Sequence, residues 1–345
     1  MGSRYGALLA TLLLGVTACG SSATVDGSLD VALVVANAQL NFSIEMADGF
    51  RAGVAHVGGV NAEVTGPDIV DGPRELEMFE ELAKTADDGV SVFTLSPEIF
   101  AQPLADAVDR GLPIIAVDNP PLDEADVGLY VGNDNHELGR LLAAEVVAAL
   151  PSGATGTVIL GTSSPGVGVL DRRAAGIRDG IRAELPGVTV LGPFDSKQDT
   201  DANKAAWKTL IRANPDALAF LGTGDADGWN LAALRAETGG TWLAGAFDLD
   251  DRSLAAVKAG ELLLVSPEHF VKGEVAGRLQ AGHAKSGKAL PKGWYYIPGL
   301  AVNSTNIDAV LARQKSPEAT EAAVATRVDT ILTDRSYLRP MSAVG

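Results

Sequence analysis

Asp118 is the first residue of this chain to which a chemical role can be given, because of what surrounds it. It lies in GLPIIAVDNPP, residues 111–121. The apolar run Ile114–Val117 is short, rich in β-branched side chains, opened by Pro113 and closed by Asp118-Asn119-Pro120-Pro121. Such a run predicts a strand buried in a parallel sheet. Open parallel sheets bind ligands just beyond the carboxyl ends of their strands, where Asp118 stands. The alternative is an aspartate that merely caps the following loop.

Other chemistries lack their partners. His56, His136, His269 and His283 are scattered, none at a metal-ligand spacing. His136-Glu137 starts like a zincin motif without its second histidine, and Gly222-Thr223-Gly224 lacks the third glycine of a dinucleotide fingerprint. Gly161-Thr162-Ser163-Ser164 is not a nucleophile elbow, and Asp225-Ala226-Asp227-Gly228 lacks the rest of a calcium loop. No nucleophile–base set is visible, so a non-enzyme with no catalytic residue, cofactor or metal is expected.

Hydrophobic residues make up 46% of the 345 and charged residues 21%, which predicts a sizeable core. The net charge of −17 argues against nucleic acid or an anionic membrane surface as partner. Near the N-terminus, Arg4 precedes a small-apolar segment, Ala7 to Val16, too short to span a bilayer as a helix. Val16-Thr17-Ala18-Cys19 follows, and Cys19 is the single cysteine of the chain. This segment resembles a bacterial lipoprotein signal, in which that cysteine is lipidated and becomes the first residue. Residues 1–18 would then be the signal and 19–27 a polar linker, leaving an extracytoplasmic chain tethered to the cell membrane. An incidental cysteine in an ordinary secretory signal is the other reading.

The elements that must position Asp118 follow from hydrophobic period. Leu29 to Ala36, Ala62 to Thr65, Val90 to Leu95 and Pro113 to Val117 read as strands. Between them Phe42 to Val57, a segment opened by Pro73, and Ile99 to Arg110 read as helices. The alternation restarts after Tyr130-Val131-Gly132 and runs to Phe247, which predicts two similar doubly wound α/β lobes. Asp251 to Ala259, Leu262 to Val265 and His269 to Lys285 exceed what the second lobe needs and can return to the first. Gly293 to Ile297 reads as a strand, Ile307 to Leu332 as helix divided at Pro317, and the tail after Arg335 as irregular.

In order and spacing, these stretches resemble the type I periplasmic sugar-binding proteins of the ribose- and galactose-binding kind. The resemblance runs from about Leu29 to Lys285 and rests on ALVVANAQLNF with MADGF, DDGVSVFTLSP, GLPIIAVDNPP, YVGNDNHELGR, LDRRAAGIRDGI and GAFDLDDRSLAAVKAG. It implies two doubly wound parallel-sheet lobes, joined by three crossover segments, with a solute between them. The resemblance also implies that Asp118 accepts from sugar hydroxyls, that Arg173 donates from the second lobe, and that Asp248 is a second carboxylate near the hinge. Phe42 would present its ring to an apolar sugar face, and Glu268 falls near a family amide after the third crossover strand. Plainer roles remain: a surface ion pair for Arg173, a helix cap for Asp248, core packing for Phe42, turns for Gln39 and Asn135.

Departures from the family pattern bear on the ligand. Asn119 stands where ribose binders have a second arginine, Ser43 and Gln198 where they close an aromatic sandwich, and Gly224 where they have a polar amide. Losing a ring weakens selection for a flat pyranose. The cleft implied by Asp118, Asp248 and Glu268, with Asn119 and Gln198 as further contacts, is acidic and polar and would suit a polyol, cyclitol or unusual sugar.

The expectation is a monomeric solute-binding lipoprotein of an ABC importer, closing on a small polyhydroxylated solute and recognised by the permease membrane subunits. Residues 28–132 plus about 269–297 would form the N-terminal lobe, and 133–268 plus about 298–345 the C-terminal lobe and tail. A sensor presenting its ligand to a membrane receptor, a repressor's effector domain and an enzyme on the same scaffold are the alternatives.

Overall fold

The computed structural model describes residues 28–344. The expected signal, Cys19 and linker lie outside the described residues. The chain opens β1 (Asp30–Val35), α1 (Asn41–Val57), β2 (Asn61–Thr65), α2 (Gly72–Leu82), β3 (Val90–Phe93), α3 (Pro97–Asp109), β4 (Ile114–Val117) and β5 (Leu129–Gly132). A second round follows: α4 (Asn135–Ala149), β6 (Gly156–Thr162), α5 (Gly168–Glu184), β7 (Val188–Asp195), α6 (Thr200–Ala213) and β8 (Ala219–Leu221). It finishes with α7 (Asp225–Thr238), β9 (Leu243–Phe247), α8 (Asp251–Lys258) and β10 (Leu263–Ser266). Last come α9 (His269–Ser286), β11 (Gly293–Tyr296), β12 (Leu300–Val302), α10 (Ile307–Arg313), α11 (Pro317–Thr333) and β13 (Leu338–Arg339).

The strands form two sheets, ordered β13-β11-β5-β4-β3-β1-β2 and β12-β10-β9-β8-β6-β7. Every described pairing is parallel except those of β13 with β11 and β12 with β10. Strands such as Val31–Val35, Ile114–Val117 and Val158–Leu160 are buried along their whole length. That fits sheets covered by helices on both faces. Each lobe therefore has two apolar clusters, one on each face of its sheet.

Helix starts are marked by side-chain caps. Asp71, Asp134, Asp199, Asp250 and Ser316 each accept from a backbone N–H of the first turn. Because Asp250 caps α8, Asp248 is free of that duty.

Three crossovers join the lobes, and Asn133 ties them together. It stands in the first crossover, and its Nδ2 donates to the carbonyls of Pro267 in the second (3.1 Å) and Ile297 in the third (2.6 Å). The chain then makes a fourth passage at 314–316. Ile307 and Val310 of α10 belong to the second-lobe core, but Val324, Val328 and Ile331 of α11 are buried in the first. The tail expected on the second lobe thus packs on the first, and the stretch expected to be irregular adds β13 to its sheet. The physical reason is that α11 shows a buried stripe that α1 and α9 cover.

Candidate functional site

Asp118 and Asp248 hold matching places in the two lobes. Asp118 follows β4 and its N–H donates to the Val131 carbonyl (2.9 Å); Asp248 follows β9 and its N–H donates to Val265 (3.0 Å). Each is thus pinned to the neighbouring strand as its own strand ends. Both take left-handed backbone, with φ of 65° and 73°, as does Glu268 at 60°. Non-glycine residues hold that conformation at a cost, with Asp and Asn tolerating it best, and such strain gathers at functional sites. Tyr130 Oη donates to the Asp118 carbonyl (2.6 Å) and fixes the turn further.

Between the two carboxylates stands α9. Lys272, with no exposed surface, donates Nζ to Asp118 Oδ1, and the same Nζ lies 3.4 Å from His269 Nδ1. His269 Nε2 is 2.9 Å from Asp248 Oδ1. With an ammonium facing Nδ1, that nitrogen accepts, so Nε2 carries the proton and donates to Asp248. Burial first, then the Lys272 charge, lower the His269 pKa and keep the ring neutral. Burial pushes Asp118 upward, but the Lys272 charge, with that of Arg173, outweighs it and holds the carboxyl at about 2. Lysine, histidine and two aspartates thus form one buried chain running from lobe to lobe.

Arg173 completes the charge balance from α5. It is buried, which removes the surface-pair reading: Nε donates to Asn135 Oδ1 (3.0 Å) and Nη1 to the Thr223 carbonyl (3.1 Å). Its guanidinium carbon lies 4.9 Å from the Phe247 ring centre. Nη2 carries no protein hydrogen bond among the described residues, leaving a fixed donor for a ligand.

Asp118, Asp248, Arg173 and His269 face a cavity between the lobes that is continuous with solvent. Phe42, Phe93, Leu95, Asp118 and His269 line it from one side; Ser163, Ser164, Val167, Val169, Leu170, Arg173, Gln198, Gly224, Asp225 and Asp248 line it from the other. Phe42 is held edge-on by Phe93 (5.9 Å between centroids) and tilted against His269 (5.6 Å). It therefore both packs on the first-lobe core and reaches the cavity.

Of the seven sequence-predicted contacts, Phe42, Asp118, Arg173, Gln198 and Asp248 meet at this cavity, and two do not. Glu268 is turned away and buried, where Ser266 Oγ donates to it (2.7 Å), Arg313 Nη1 at 3.0 Å and Arg327 Nη1 at 2.8 Å. Burial raises its pKa, and the two arginines more than reverse that. The residue facing the cavity is the next one, His269, because Glu268 spends its left-handed turn at the crossover. Asn119 is buried with Nδ2 donating to the Thr94 carbonyl (2.9 Å), a tie between β-strand ends. Ser43 is buried outside the cavity, and Gln39 bonds to Asp68 on the surface.

The site departs from a simply acidic cleft. Lys272 and Arg173 offset Asp118 and Asp248, while burial first, then Asp248, push Asp225 up to about 7. Much of the wall is apolar.

A protein-family model described as a periplasmic binding protein domain matches residues 31–288, most of the chain. The chain belongs to the periplasmic binding protein family. Among curated proteins it resembles the xylose/arabinose-binding protein XylF of Sulfolobus acidocaldarius, 22% identical over 223 residues. That alignment takes in 59% of this chain, and this chain spans about half (53%) of the relative's length. Its fold matches an ABC transporter solute-binding protein of Burkholderia graminis in complex with D-arabinose: TM-score 0.74, 21% identity, 81% of this chain and 96% of that one. A solute-binding protein of Agrobacterium vitis with bound D-fucose matches with a TM-score of 0.73 and 19% identity, over 84% and 98% of the two chains. At these identities the matches speak for fold.

In this binding protein the residues missed from sequence are His269, Lys272 and Asp225. Lys272 lies on a helix buried on nearly every face, so no polar stripe singles it out. Asp225 opens α7 at the end of β8, the same strand-end position that drew attention to Asp118. That rule could have found it.

Proposed function

We propose that this periplasmic binding protein is the extracytoplasmic solute-binding component of an ABC importer and takes a sugar, polyol or cyclitol between its lobes. The observation that carries this reading is the convergence on one cavity of Asp118 from the first lobe and Asp248 and Arg173 from the second. Asp118 and Asp248 each have one oxygen held by α9, with the other left to accept from hydroxyls. Arg173 Nη2 supplies a donor for a ring or hydroxyl oxygen. A solute bridging the lobes stabilises the closed arrangement, which permease subunits would recognise. The sugars named with the relatives support the ligand class. The protein would act as a monomer that binds without transforming its ligand, held at the membrane through Cys19. The segment around Cys19 is the support for that anchor.

Thermal unfolding of the chain against pentoses, hexoses, polyols and cyclitols tests the reading. Ligand at a hundred times its Kd stabilises by roughly 2.7 kcal/mol, which moves the midpoint by a few degrees. One class should do so. A flat midpoint across all four would remove the carbohydrate assignment.

A further inference from the structure

The cavity carries apolar side chains at the edge of the second lobe as well as its charged groups. Val167, just before α5, and Leu170, in its first turn, both line the cavity and are only partly buried. Phe42 and Leu95, also partly buried, bring apolar surface from the first lobe. Polar groups on the lining are Asp118, Asp248 and Arg173, along with Gln198, Asp225, Ser163 and Ser164. Asp118 and Asp248 each have an oxygen committed to α9, and Arg173 has two of its three nitrogens committed to Asn135 and Thr223. A ring hydroxylated on every edge would press a hydroxyl against Val167 and Leu170, which offer neither donor nor acceptor, and lose its water there. A methyl or methylene at that edge would instead cover surface now facing solvent.

Resting on the carbohydrate reading above, we propose that the ligand is a polyhydroxylated ring with one apolar edge, a deoxy or O-methyl sugar or cyclitol. That edge packs on Val167 and Leu170, and these two residues set the preference. Its hydroxylated edge meets the aspartates and Arg173. An apolar pocket discriminates modestly on such a group, so the preference is about 10-fold to 100-fold.

Calorimetric titration with three matched pairs tests this: D-galactose and D-fucose, D-ribose and 5-deoxy-D-ribose, myo-inositol and a mono-O-methyl inositol. In at least one pair the deoxy or methylated member should bind ~10-fold tighter or more than its parent. Leu170→Asn, at a partly buried position, should narrow or reverse that ranking while the protein stays folded by circular dichroism. Parents binding as tightly as their partners in every pair would overturn the proposal and leave the carbohydrate reading standing. So would a failure of all six beside a hit in the wider thermal panel. No hit in either experiment removes both.

Discussion

Lys272 is the costliest residue of the site to have buried. An ammonium with no exposed surface is tolerable only beside an anion, and Asp118 is that anion. Lys272→Met should destabilise the protein by about 3–5 kcal/mol, since it strands the buried carboxylate. Adding Asp118→Asn removes the stranded charge, so the double variant should recover much of that loss. Denaturant unfolding of the four proteins in a double-mutant cycle measures the coupling. Additive losses would mean that the pair is two independent buried groups. The same ion pair explains why this part of the site escaped sequence reasoning. A carboxylate at a strand end has a recognisable position, whereas a buried lysine has only its partner, and that partner is 154 residues away.

At the scale of elements, two helix pairs aim the site, and glycine sets their distance. α1 and α9 meet across Gly49, Gly53, Gly273 and Gly277; α4 and α5 meet across Gly139, Gly176 and Gly180. A Cβ on Gly176 would overlap the carbonyl of His136, and one on Gly139 that of Arg173 itself. The first pair carries Phe42, His269 and Lys272, the second Asn135 and Arg173. Gly176→Val should therefore cost roughly 1–3 kcal/mol or more by overpacking, and weaken ligand binding by displacing Arg173. Gly168 meets nothing within 4 Å, and Gly168→Ala should leave binding unchanged and stability equal or slightly higher. Unfolding curves and titration of both variants would check the contrast; equal losses would show that helix spacing does not aim the arginine. Periodic helices and apolar strands such as Ile114–Val117 were legible because local pattern and burial agree there. β12 and β13, three and two residues long, were not, because antiparallel pairing to β10 and β11 makes them strands rather than any pattern of their own.

Over the whole molecule, charge and stability are also linked through a buried carboxyl away from the cavity. Glu75 of α2 accepts from Thr94 Oγ1 (3.0 Å), its Oε1 finds no partner among the described residues, and burial pushes its pKa up to about 8. Between the ordinary glutamate value and about pH 8 the folded protein holds a proton that the unfolded chain has released. Stability contributed by that proton is present at acidic pH and is lost as pH rises through about 8. The unfolding midpoint should therefore fall by a few degrees from pH 5.5 to 8.5, and Glu75→Gln should remove its share of the fall, leaving that of Glu45 and Asp225, which burial raises to about 8 and about 7. A Glu75→Gln profile parallel to that of the parent would place the dependence elsewhere.

The return of the tail has a mechanical consequence. β1, where the described chain starts, and β13, near its end, lie in the same sheet, while β6 to β10 belong to the other. A tether or bead attached near Ser28 or Val344 would load one half of the molecule and leave the other out of the line of force. A surface-held molecule should keep its full swing, so that opening and shutting could be followed on single immobilised copies from whichever end they are held.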